Sequence, residues 1–167
     1  MDSAQYGRGC VVSRYAAQTD VTSDRSRAEI ERILQRYNAS SFMYGWEGDR
    51  AVVAFQMNDR RIRFDLPMPD RHSHLFTETD TGRARSESAA HKAWEQACRQ
   101  RWRALALVIK AKLEAVESGI TEFEGEFLAH IQLPDGQTAG AWMRPQIERA
   151  YQTGEMPALL PAPGGQS

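Results

Sequence analysis

Residues 41–66 contain three apolar runs separated by two turn-forming pairs, Gly48-Asp49 and Asn58-Asp59. Glycine first in a two-residue loop suits a type II′ turn. Asn-Asp tolerates the two positive φ values of type I′. With each pair as a loop, the cross-strand rows are Phe42/Phe55/Ile62, Tyr44/Val53/Phe64 and Trp46/Ala51/Leu66. That face is wholly apolar. The other carries Ser41/Gln56/Arg61, Met43/Ala54/Arg63 and Gly45/Val52/Asp65. A slip of one residue would scatter both sets, so the pattern specifies one register. It predicts an antiparallel meander of strands 41–47, 51–57 and 60–66 with one face to bury.

The longest helical pattern supplies the cover. Trp94, Cys98, Trp102, Leu105, Ile109, Leu113 and Val116 recur at steps of three and four, which is one helix face. Ser86 or Ser88 starts this helix, and Gly119 follows its end. A shorter helix is expected from Ser26, with Glu29 closing a capping box, to about Tyr37. Its buried stripe is Ile30, Ile33, Leu34 and Tyr37, and Arg27, Glu31, Arg32 and Arg36 form its solvated face. Thr121 with Glu124 predicts a third helix start, ahead of Phe123, Phe127 and Leu128. A last helix over 138–153 offers Trp142, Ile147, Ala150 and Tyr151 as apolar positions, with Pro145 kinking or delaying it.

The expected fold class is α+β: a three-stranded antiparallel meander packed on a long helix, with an N-terminal helix and a C-terminal helical segment. Residues 1–24 read as a flexible arm, 25–155 as one globular domain, and 156–167 as a disordered Pro/Gly-rich tail. Residues 67–86 form a long polar connection, and loops of that length are often functional.

The chain of 167 residues has no apolar run near the 18–20 needed to span a bilayer. The start, MDSAQYGRGC, has no apolar signal core, so a cytoplasmic location is expected. Cys10 and Cys98 are expected to be free thiols. The net charge of −1 hides an asymmetry. Residues 60–112 carry 12 basic and 6 acidic side chains, while 113–167 carry 2 and 8. Either the basic segment faces an anionic partner, or the two segments neutralise each other.

Arginine outnumbers lysine by 18 to 3, and guanidinium suits bidentate phosphate contact. Arg61 and Arg63 project from the outer sheet face. Arg83 and Arg85 precede the long helix. Arg99 and Arg103 lie on one line of it with Lys92 and Lys110, a line flanked by Glu95, Glu114 and Glu117 and so not purely basic. These six arginines are the candidate nucleic-acid contacts. A second reading is a protein-interaction module that modulates a host factor through an acidic surface bearing Glu122 and Glu126. A third is a hydrolase using His72 and His74 as acid and base, but no partner motif accompanies them. The chain has no P-loop, Rossmann fingerprint or nucleophile elbow. No enzyme activity, cofactor or metal is expected.

The order helix–strand–strand–strand–helix is similar to the double-stranded RNA-binding domain. The hairpin Glu47-Gly48-Asp49-Arg50 lacks that family's Gly-Pro-x-His loop, and the helix opening SESAAHK lacks its lysine cluster. No function carries over. The stretches SRAEIERILQRY, FMYGWEGDRAVVAF, RRIRFDLPMP and AWEQACRQRWRALALVIKAKLEAVESGI resemble uncharacterised small proteins of tailed phages and prophages. The likeness covers residues 26–153. It implies a phage setting inside a bacterial host, where small proteins serve DNA metabolism or counter host defences.

Overall fold

The computed structural model describes residues 14–155, with side chains from residue 24 onward. Cys10, most of the expected arm and the expected tail lie outside the described residues. The elements run α1 (Arg14–Arg36), β1 (Ser41–Glu47), β2 (Arg50–Met57), β3 (Arg60–Pro67), α2 (His74–Thr77), α3 (Glu87–Glu117), α4 (Phe123–Phe127) and α5 (Ala139–Thr153). A 3₁₀ turn, Leu128–His130, follows α4.

The three strands form one antiparallel sheet in the order β1-β2-β3. Every expected pair is present, including Phe42–Phe55–Ile62 and Tyr44–Val53–Phe64. Turn chemistry sets this register. Asn58 and Asp59 both have positive φ, 49° and 58°, as type I′ requires. At the other turn Gly48 has φ 63°, the sign that a II′ turn needs at its first position.

The apolar face is closed by α3, whose side chains Trp94, Cys98, Trp102, Ile109 and Leu113 are at most 2% exposed. Phe127 of α4 sets its ring edge-on to Phe55 and Phe64, at 6.0 and 6.4 Å. Such edge-to-face contacts add to the burial of each ring. Ser86 caps α3 by accepting from the Ala89 amide, 3.3 Å away. The helix ends in a Schellman motif: Gly119, φ 71°, donates to the Val116 carbonyl, and Ile120 to that of Ala115.

Helix α1 adds Ile30 and Leu34 to the core. Its start differs from expectation. The helix begins at Arg14, so Ser26 is interior and residues 14–24 of the expected arm are helical. The stretch holds neither glycine nor proline. Extending a helix already fixed by packing costs far less than nucleating one.

Two further readings are corrected. Tyr44, expected in the core, is 46% exposed, because β1 is the sheet's edge and little packs beyond it. Thr121 does not cap α4; Glu122 occupies the N-cap position with no side-chain hydrogen bond. On α5, Trp142, Ile147 and Tyr151 are exposed, since only the short 3₁₀ turn packs closely along the helix. That helix begins at Ala139, capped by Thr138, and runs through Pro145.

The connection after β3 is tied down. Trp94 Nε1 donates to the Pro69 carbonyl at 2.9 Å, and Arg101 to that of Pro67 at 2.8 Å. Within it lie α2 and a bridge between Glu78 and Ala84.

Candidate nucleic-acid interface

The six arginines divide into three places. Arg61 and Arg63 stand on the outer sheet face, opposite the core. Arg61 is exposed. Arg63 is largely covered and is ion-paired to both Glu47 and Asp65, the latter at 2.9 Å. Burial alone would lower its pKa, but the hydrogen bonds to Asp65 and Glu47 raise it. Its charge is spent inside the sheet face.

Arg83 and Arg85 enter α3 from its N-terminal side. The Thr79 amide donates to the Arg83 carbonyl, and the Arg85 amide to that of Thr77. Both backbones are therefore fixed just ahead of the Ser86 cap. Arg99 lies about 20 Å further along the helix axis.

Arg99 and Arg103 are one turn apart on α3 and meet α1 across a cleft of about 400 Å³. Its lining is Arg25 and Ser26 from α1, and Gln96, Arg99, Gln100 and Arg103 from α3. The two helices run in the same direction. Arg25 stands beside Arg99 at one end, and at the other the Glu117 carboxylate faces the Tyr37 hydroxyl. The Tyr37 pKa is raised, by desolvation first and then by Glu117. In the cleft, Arg99 has Glu95 at 3.8 Å. Arg25 and Arg103 have no ion-pair partner among the described residues.

Arg25 is not among the sequence candidates, because a helix starting at Ser26 leaves it in the expected arm, whereas α1 begins at Arg14. Its place is legible once α1 is known to continue: Arg25 and Arg32 are two turns apart on one line. Arg27, expected on the solvated face of α1, is only 6% exposed.

The acidic candidates also separate. Glu122 is exposed. Glu126 is held by Lys112, Nζ to Oε1 2.8 Å. With Arg60–Glu124 at 3.9 Å, this pair joins the basic and acidic segments locally. Their charges cancel there, while the α1–α3 cleft stays basic.

His72 and His74 are exposed and near no third ligand; no group of three His, Cys, Asp or Glu among the described residues could hold a metal ion. Cys98 is unpaired and buried, which pushes its thiol up to about 11. That is far from a reactive thiolate. Among the described residues no helix is long and apolar enough to cross a membrane.

No family model, curated protein or solved structure matches this chain.

Proposed function

We propose that this protein binds nucleic acid through the arginine cleft between α1 and α3. The observation that carries the reading is the convergence of Arg25, Arg99 and Arg103 on one cleft with Ser26, Gln96 and Gln100. Each lining side chain can donate hydrogen bonds, and three of them are fixed cations. This is the chemistry of phosphate contact, which positions a nucleic acid without reading its sequence. Arg83, Arg85 and Arg61 would add peripheral charge. An accessory role in a phage or prophage belongs to this reading and rests on the sequence resemblance alone.

A protein partner is the second reading. The acidic surface offers Glu122, but Glu126 is engaged by Lys112. What favours a partner more is the exposed apolar set on α5, Trp142, Ile147 and Tyr151.

Fluorescence anisotropy with labelled DNA and RNA, at about 50 mM salt and above, tests the first reading. Each lost phosphate contact should reduce the log–log salt slope by about 0.9 on duplex or 0.7 on single strands. Replacing Arg25, Arg99 and Arg103 together with alanine should therefore flatten it by about two to three units. Failure of the wild-type protein to bind any nucleic acid at about 50 mM salt would eliminate the proposal.

A further inference from the structure

We infer that the ligand of the α1–α3 cleft is double-stranded, held along its phosphate backbone with no base read. This rests on the proposed nucleic-acid reading and narrows it.

The first support is the shape of the charge. Lys92, Arg99, Arg103 and Lys110 lie within roughly 40° of one another around α3. From the first to the last is about 27 Å of straight helix, and all four side chains are exposed. The cleft arginine Arg25 stands beside the middle of this line. Among the described residues the one ion pair on these four is that of Arg99 with Glu95, which is shared with His91 at 3.3 Å; Glu114 and Glu117 continue the line beyond Lys110 and bound the basic stretch there. The result is a rigid basic rail about eight base-pair steps long, at roughly 3.4 Å per step.

The second support is what the rail lacks. Proteins that hold single strands without sequence preference stack bases on aromatic side chains, at about 1–3 kcal/mol per base. Among the described residues no aromatic ring lines the cleft. Trp94 and Trp102, on the same helix, are buried in the core. The outer sheet face offers Met43, Ala54 and Val52 rather than rings. A flexible single strand would have to be straightened along the rail with no stacking energy to offset the ordering. A duplex is already a stiff rod over this length, with a persistence length of about 150 base pairs. It presents its phosphates without that loss.

The experiment compares a labelled duplex of about 24 base pairs with an oligothymidine single strand of equal length, near 50 mM salt. The duplex is expected to bind at least tenfold tighter. Two unrelated duplex sequences should bind within a factor of about two, because phosphate contacts carry no sequence information. Arg99→Ala/Arg103→Ala should weaken duplex binding about equally on both sequences and flatten the salt slope by about two. Circular dichroism on the variant checks that these exposed changes leave the fold intact. Equal or tighter binding of the single strand overturns the duplex inference while leaving nucleic-acid binding standing. Absence of binding to either probe removes both. Strong preference between the two duplexes would show base reading and overturn the inference as stated.

Discussion

The guanidinium of Arg27 lies 4.5 Å from the centroid of the Tyr44 ring. It is also 5.9 Å from that of Trp102 and is ion-paired with Asp24. One arginine thus joins α1, the edge strand β1 and α3. Tyr44 lies on the core face but beyond the reach of the apolar cover, and a flat cation covers its ring instead.

Replacing Arg27 should therefore cost stability rather than binding. Arg27→Ala removes two cation–π contacts and the packing of the side-chain stem, together about 1–3 kcal/mol. Arg25→Ala, on the nearly opposite side of α1 and in the cleft, should leave stability within about 0.5 kcal/mol. Urea melts of the two variants check the contrast. Equal destabilisation would show that Arg27 is an ordinary surface residue.

Phe55 is 1% exposed and touches both Phe64 and Phe127. Phe55→Ala should cost about 3–5 kcal/mol by loss of transfer energy and creation of a cavity. Chemical denaturation measures it. A loss below about 1 kcal/mol would mean that the aromatic cluster collapses around the gap or is not the centre of the core.

Gly140 sits where α5 crosses the residues after α4. A Cβ there would come within 2.7 Å of the Ala129 carbonyl oxygen and 3.1 Å of the Ala129 Cβ. Backbone must move to admit it. Gly140→Ala should destabilise by about 1–3 kcal/mol, against the usual helix-stabilising effect of alanine. Hydrogen exchange should show faster exchange confined to α5. A stabilised variant would place α5 elsewhere.

His130 stacks on Phe64 at 4.0 Å. Burial, and then the nearby Lys112 cation, hold its pKa below the usual 6.5, against a smaller opposing pull from the Arg63 backbone and Asp65. As pH falls, the unfolded chain therefore takes up this proton before the folded one. The stabilising contribution is present above about pH 6.5 and is lost as pH drops below it. His130→Phe keeps a ring on Phe64 and cannot titrate. Its denaturation midpoint should fall less than that of the wild type between about pH 7.5 and 5.5. Parallel pH curves for the two proteins would assign the acid sensitivity elsewhere.

The strand register, both turn types, the α3 seam and the ends of α3 follow from residues close in sequence or paired across a two-residue turn. Alternation of period two leaves one workable register for Phe42, Phe55 and Ile62, and Asn58-Asp59 closes only one kind of loop. Helical spacing likewise aligns Trp94 through Val116 whatever surrounds them. The tertiary structure alone decided where coverage stops and where charges meet. Tyr44 shares the parity of core residues, yet its burial depends on what packs beyond an edge strand. Arg63 and Arg99 are both arginines on regular elements, but one is neutralised by Glu47 and Asp65 and the other opens into a cleft with Arg25. Trp142, Ile147 and Tyr151 are apolar residues on a regular helix, yet all three are exposed, because only the 3₁₀ turn packs along α5. Periodicity fixes which side chains share a face. Only the packing of distant segments fixes whether that face meets core, counter-charge or solvent, because burial and ion pairing are set by long-range contacts that leave no local spacing to read.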